Sequence, residues 1–113
     1  MMAGQWATCP MTEAALMRLL LNPAVTGRAR SQREVSAILA GFAHDPRWRF
    51  IPDDSSWRNP LVDTSVLMGH QQVTDPHLVN LAAAHGATLA TFDAALPTWL
   101  TPADRHHVLV IPT

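Results

Sequence analysis

The sequence lacks several features that would place it in a familiar class of proteins. It contains a single cysteine, Cys9, which excludes an internal disulfide framework and fits a reducing cytoplasm. No apolar run approaches the ~18 residues needed to span a bilayer, and the first residues lack the charged-then-apolar plan of a secretory signal. We therefore expect a cytoplasmic protein that does not enter the membrane.

Lysine is also absent, so all eight basic residues are arginine, and the formal net charge is −1. A near-neutral chain is not a general electrostatic binder of nucleic acid. Positive charge is nevertheless concentrated between Glu13 and Glu34, where the arginines are Arg18, Arg28, Arg30 and Arg33. This segment is either a solvated surface or a phosphate-binding patch, and composition alone does not choose between them.

What the sequence does contain indicates a packed α/β domain. Hydrophobic residues make up 48% of its 113 residues, which supports a folded core, and the length suits one domain over residues 1–113. Strand-like and helix-like segments alternate, as in an α/β fold with a mainly parallel sheet. The predicted strands are Gln5–Cys9, Arg47–Ile51, Ala87–Phe92 and Val108–Ile111. The predicted helices begin at Pro10 or Thr12, at Ser31, at Pro60 (ending near Gly69) and near Thr74, with a loop over Pro23–Arg30 and an irregular segment over Ala94–Arg105.

The stretch Val73–Asp93 carries the strongest local signals. Asp75 is a good N-cap residue and Pro76 suits the first helical position, while Gly86 stands where a left-handed C-cap is wanted. The predicted buried face of this helix consists of Leu78, Leu81, Ala82 and His85. The apolar strand that follows is expected to be covered on both faces. Asp93 then lies at its carboxyl end, where open α/β sheets bind their ligands.

Three carboxylates share this kind of position. Glu13 lies at a helix start just past the first strand, as Asp75 does before its helix, and Asp93 ends a strand. Each also has a structural explanation. A helix start favours a carboxylate such as Glu13 or Asp75 by ~0.3–1 kcal/mol, and Asp93 fits a solvated strand end. Together they predict a site, because a parallel sheet brings such positions to one edge. Clustered carboxylates suit Mg²⁺ or Mn²⁺, and such ions support in-line phosphodiester hydrolysis.

Other kinds of site have weaker support. Cys9 has no base identifiable in the sequence, and His106-His107 lacks the spacing of zinc ligands. No Gly-rich phosphate loop is present, which disfavours a small-ligand α/β module.

Two motifs give the chain a family resemblance. The stretch W-A-T-C-P-M-T-E (Trp6–Glu13), with Arg18 five residues later, resembles the middle motif of PIN-domain toxins of the VapC type. The stretch V-T-D-P-H-L…G-A-T-L-A-T-F-D (Val73–Asp93) resembles their closing motif, and V-L-V-I-P (Val108–Pro112) resembles their final strand.

The resemblance implies a PIN-like three-layer sandwich and a Mg²⁺- or Mn²⁺-dependent ribonuclease. VapC toxins cut structured RNA of the translation machinery, of the tRNA or rRNA class, and a VapB antitoxin holds them inactive. By this resemblance the acidic-site residues are Glu13, Asp75 and Asp93. The candidate RNA contacts are Arg18, Arg28 and Arg30.

The chain departs from the family pattern at its start. The family begins with a central strand that carries an Asp in a D-x-N-like motif, and nothing upstream of Trp6 matches it. We therefore expect a sheet edge that invites a homodimer or another partner, and weak RNA cleavage by the chain alone, because one anionic ligand is missing. The alternative interpretation is a catalytically impaired chain that only binds an antitoxin or a second copy of itself.

Overall fold

The computed structural model describes residues 4–63 and 74–112. These residues divide into two units at the bond between Asp53 and Asp54. Each unit combines helices with one pair of parallel strands, so the predicted α/β class and the parallel pairing are confirmed. The prediction of one domain over residues 1–113 stays a prediction. No helix in the described ranges has both the length and the apolar character needed to cross a membrane.

The first unit is a strand, three helices and a returning strand. In chain order its elements are β1 (Trp6–Thr8), α1 (Pro10–Leu21), α2 (Pro23–Thr26), α3 (Gln32–Gly41), a 3₁₀ helix (Phe42–His44) and β2 (Trp48–Phe50). The two strands pair in parallel, with Trp6 opposite Trp48 and Thr8 opposite Phe50. The predicted strands and the helices beginning at Pro10 and after Ser31 are therefore confirmed.

The predicted loop over Pro23–Arg30 is wrong in its first part, which forms α2. The Asn22 side chain caps this short helix by accepting a hydrogen bond from the Ala24 N–H at 3.0 Å. Pro23 supplies the fixed φ of the first helical position. An Asn-Pro pair that ends one helix therefore also begins the next.

Aromatic packing and one carboxylate hold the ends of the first unit's strands. The Trp6 ring packs edge-on against Phe42, with the centroids 5.1 Å apart, and Trp6 Nε1 donates to Asp45 Oδ2 at 3.1 Å. Arg47 also donates to Asp45 from its guanidinium and its backbone N–H. The hydrogen bonds from Arg47 and Trp6 lower the pKa of Asp45 to about 2.

The described residues of the second unit contain one long helix and the second strand pair. Its elements are α4 (Thr74–Ala84), β3 (Leu89–Thr91), 3₁₀ helices at Leu96–Trp99 and Pro102–His107, and β4 (Val108–Val110). Leu89 lies opposite Val108 in parallel register. The predicted irregular segment Ala94–Arg105 is wrong in part, since the first 3₁₀ helix lies within it and the second begins within it, each with a proline in its first turn.

Two predicted helix starts in this unit have different outcomes. Residues 60–63 are not helical, so the helix predicted from Pro60 does not begin there, and the rest of that prediction lies outside the described residues. The last helix begins at Thr74, which places Asp75 in its first turn. Gly86 adopts the left-handed conformation with φ 64°, as predicted for the C-cap.

Among the described residues of the second unit, four buried apolar side chains form one core cluster. They are Val62, Val79, Leu96 and Leu100, with Trp57, Leu89, Trp99 and Val108 packed against them. Of the predicted face of α4, Leu81 and Ala82 are buried, whereas Leu78 and His85 are half-buried. The prediction omitted Val79 and the polar Asn80, both of which are buried.

Neither β3 nor β4 is covered on both faces, so the prediction made for β3 is wrong. Along β3 and β4 the exposed residues are the central ones, Ala90 and Leu109, and Leu109 is 59% exposed. Within the second unit these strands form a pair whose inward face packs on the core while the other face remains open. Apolar content alone therefore overstated their burial.

Candidate active site

Glu13 is positioned by the junction of β1 and α1. It lies in the first turn of α1, and its backbone N–H donates to the Cys9 carbonyl at 2.9 Å. The turn is closed by the Thr12 hydroxyl, which accepts from the Cys9 N–H at 2.9 Å. The half-buried Glu13 side chain turns back towards the strand, where its Oε2 accepts from Thr8 Oγ1 at 2.5 Å.

Asp93 lies two residues past the end of β3 and shapes the turn there. Its Oδ1 accepts from the Ala95 N–H at 2.9 Å, and its own N–H donates to Thr91 Oγ1 at 3.1 Å. Aspartate side chains commonly bond the backbone two residues on in this way. The carboxylate is exposed, so one oxygen stabilises the turn while the group as a whole faces solvent.

Asp75 belongs to the same unit as Asp93 and lies half-buried in the first turn of α4. The following Pro76 is buried and fixes the start of the helix. A carboxylate at this position interacts favourably with the positive end of the helix dipole.

The three predicted site residues are thus each found at a strand end or a helix start. Asp75 and Asp93 lie in the second unit and Glu13 in the first. Within either unit, no group of three or more His, Cys, Asp or Glu side chains among the described residues is arranged to hold a metal ion. The convergence of all three carboxylates stays a prediction.

The candidate RNA-binding arginines differ in their surroundings. Arg18 is exposed on α1 beside a groove of about 370 Å³ formed with Ala14, Met17, Leu21 and Asn22. Arg28 pairs with Glu34 at 3.4 Å, an exposed contact that contributes little to stability. Arg30 is half-buried, and its Nε has no hydrogen-bond partner among the residues the structure describes.

Comparison with known proteins shows what the chain is similar to. No family model matches it. It is 43% identical over 99 residues to Ribonuclease VapC38 of Mycobacterium tuberculosis, across 82% of this chain and 64% of the relative. It is 38% identical over 96 residues to Ribonuclease VapC39 (80% and 66%) and 37% identical over 91 residues to Ribonuclease VapC29 (80% and 63%), both from the same species.

The chain is a VapC homologue. The resemblance that its two motifs predict is therefore confirmed. This VapC homologue spans slightly less than two thirds of the length of these three relatives.

The sequence motifs of the VapC homologue did not reveal the contacts around Glu13. Thr8 Oγ1, which donates to Glu13, accepts in turn from Trp48 Nε1 at 3.0 Å. Thr8 and Trp48 are 40 residues apart and meet only because β1 and β2 pair. No spacing rule within a short window could have linked them.

Proposed function

We propose that this chain is the catalytic part of a VapC-type endoribonuclease toxin that hydrolyses phosphodiester bonds in structured RNA. The observation that carries the proposal is the 43% identity to Ribonuclease VapC38. The parallel strand pairs support it, because they leave Glu13 and Asp93 beyond the carboxyl ends of β1 and β3. Ligand sites of open α/β sheets lie beyond such ends. The chain folds, in this proposal, as a PIN-like three-layer sandwich.

The acidic residues suit a hard divalent cation. Glu13, Asp75 and Asp93 offer only oxygen ligands, which Mg²⁺ and Mn²⁺ prefer. A carboxylate has about four lone-pair positions, so the single bonds that Glu13 and Asp93 accept leave each able to bind a cation. When bound, the cation supplies activation of the attacking water and stabilisation of the leaving oxygen.

The protein's own residues would orient the cation ligands and bind the RNA. Glu13 and Asp93 are held by hydrogen bonds from Thr8 and Ala95, which orients their oxygens before a cation arrives. Arg18 would bind RNA phosphates, together with Arg28 and Arg30. Arginine suits this task because its planar guanidinium can bind phosphate through two parallel hydrogen bonds. The substrate would be of the tRNA or rRNA class, and the site of action the cytoplasm.

The proposal includes two protein partners. A VapB-like antitoxin would hold the toxin inactive, and a second copy of the chain would form a homodimer. Large apolar side chains that are exposed in the structure support such contacts. They include Leu19, Val25 and Phe50 in the first unit and Leu61, Phe92 and Leu109 in the second.

Metal binding gives the first test. Mn²⁺ is paramagnetic, so during a titration it should broaden the backbone amide signals near its ligands. We expect broadening around Glu13, Asp75 and Asp93 in the same concentration range, and its loss in the Asp75→Asn, Asp93→Asn double variant. Broadening around only two of the three would remove the third from the site.

RNA cleavage gives the second test. A labelled structured RNA is incubated with excess chain and Mn²⁺, so that even slow cleavage is detected. We expect Glu13→Gln and Asp93→Asn each to reduce cleavage at least ~10²-fold, because misplaced or missing groups at a reacting centre cost about that much. Glu34→Gln is the matched control, because Glu34 occupies the first turn of α3 as Glu13 does that of α1.

The control should cleave like the wild type. Mn²⁺ binding without any cleavage would contradict a catalytic role and favour a chain that acts only by binding an antitoxin or a second copy. Cleavage that persists in both carboxylate variants would show that another site, or a contaminant, is responsible.

A further inference from the structure

The Glu13 carboxylate is the last member of a hydrogen-bonded chain of three side chains. Trp48 Nε1 lies 3.0 Å from Thr8 Oγ1, and Thr8 Oγ1 lies 2.5 Å from Glu13 Oε2. An indole N–H only donates and an ionised carboxylate only accepts. The Thr8 hydroxyl must therefore accept from Trp48 and give its single proton to Glu13. The 2.5 Å distance fits a charge-assisted O–H···O⁻ bond.

The two supporting side chains are more restricted than the one they hold. Thr8 is β-branched, which limits its χ1 rotamers, and it ends β1, which pairs with β2. The Trp48 ring contacts Phe50 at a centroid distance of 6.5 Å. Glutamate is more flexible, and ordering such a side chain costs conformational entropy. The hydrogen bonds from Trp48 and Thr8 therefore restrict the flexible Glu13 carboxylate to an orientation set by the paired strands.

We propose that Thr8 and Trp48 are positioning residues that fix the Glu13 carboxylate for cation binding. This inference rests on the proposed function, because it takes Glu13 as a cation ligand. Part of the entropy cost of orienting Glu13 is met when the first unit folds, so less remains to be met when the cation binds. Outer partners of metal ligands typically contribute 10–100-fold to metal affinity.

The main experiment measures Mn²⁺ affinity in the full chain by titration calorimetry. Thr8→Val keeps the β-branched shape but removes the hydroxyl, whereas Thr8→Ser keeps the hydroxyl. We expect about tenfold weaker binding for Thr8→Val and affinity near that of the wild type for Thr8→Ser. Equal affinity in wild type and Thr8→Val would overturn the inference.

A double-variant comparison separates positioning from a general structural effect. Because Thr8 acts through Glu13, adding Thr8→Val to Glu13→Gln should weaken Mn²⁺ binding no further. A second tenfold loss in that background would show that Thr8 supports the site by another route, and the inference would be wrong.

The same variants separate this inference from the proposed function. If Glu13→Gln leaves Mn²⁺ affinity unchanged, Glu13 is not a ligand, and both proposals fail at this residue. If Glu13→Gln weakens binding and Thr8→Val does not, only the positioning role fails.

A spectroscopic readout tests the complete chain of bonds without activity or affinity. The ¹H–¹⁵N signal of the Trp48 indole should shift when diamagnetic Mg²⁺ binds the wild type, and this shift should be lost in Thr8→Val. Trp48→Phe removes the indole donor but keeps the Thr8–Glu13 bond. It should weaken Mn²⁺ binding less than Thr8→Val does, and it serves as the decisive variant if Thr8→Val does not fold. Unchanged affinity in Trp48→Phe would remove Trp48 from the positioning role.

Discussion

Asn80 offers a direct test of how a buried polar group stabilises the second unit. It is 1% exposed, in the middle of α4. Its Oδ1 accepts from the backbone N–H groups of Leu61 at 2.7 Å and Val62 at 3.3 Å. One side chain therefore ties the segment at Leu61–Val62 to the helix. Asn80→Ala removes the acceptor and leaves both N–H groups without it.

The two N–H groups should not contribute equally. Val62 is 3% exposed, so its N–H would be left in the core at a cost of about 1–3 kcal/mol. Leu61 is 57% exposed, so water can reach its N–H. Losing the hydrogen bond from this N–H should therefore cost closer to the ~1 kcal/mol of an ordinary hydrogen bond. We therefore expect Asn80→Ala to lower the free energy of unfolding of this unit by about 2–4 kcal/mol. This is a large part of the ~5–15 kcal/mol that is typical of a whole domain.

Native-state hydrogen exchange measures this loss for each amide. The exchange rate of the Val62 amide should rise most, and the protection of the Val79 amide in the core should fall by the loss in global stability. Asn59→Ala is the matched control, since Asn59 is exposed in the same unit. If Val62 remains equally protected and the unit loses less than ~1 kcal/mol, the reasoning about the buried acceptor is refuted.

Three further predictions concern other contacts. Because the pKa of Asp45 is lowered from 3.8 to about 2, its carboxylate contributes fully to stability above pH ~4, and the contribution is lost as pH falls towards 2. The stability difference between wild type and Asp45→Asn in urea melts should therefore shrink over that range. A constant difference would show that ionised Asp45 is not its source. Leu96→Ala, at a position 1% exposed, should destabilise the second unit by about 2–5 kcal/mol. Leu109→Ala, at an exposed position, should destabilise it far less, and equal losses of stability in thermal melts would contradict the assigned core. Ser31→Ala removes the acceptor of the Glu34 N–H at 3.1 Å and should cost about 1 kcal/mol in urea melts, with Ser31→Asp as the variant that restores the cap.

The parts of the fold that the sequence predicts correctly are those with local signals. Each of these signals acts on residues only a few positions away. They are Pro10 at a first helical position, the Ser31–Glu34 capping box and Gly86 at a C-cap. Such signals depend on backbone geometry that neighbouring residues impose. They also place Glu13 correctly in the first turn of α1 and Asp93 just past the end of β3.

The parts that the sequence does not predict depend on contacts between distant segments. Nothing near Asn80 indicates that its side chain accepts from Leu61 and Val62, which are 19 and 18 residues away. The bond from Trp48 to Thr8 likewise requires the strand register. The open face of β3 and β4 could not be inferred from apolar content, which indicates burial but not which face is covered.

The unequal spacing of the two strand pairs has a consequence for folding kinetics. Paired residues of β1 and β2, such as Trp6 and Trp48, are 42 positions apart in the sequence. Paired residues of β3 and β4, such as Leu89 and Val108, are only 19 apart. Halving a loop lowers its closure cost by ~0.6 kcal/mol, and shorter-range contacts form faster. The β3–β4 pair is therefore the expected folding nucleus, so substitutions there should slow folding, and substitutions between β1 and β2 should mainly speed unfolding. On the ribosome the first unit is synthesised first, although its strand pair is the one expected to form later.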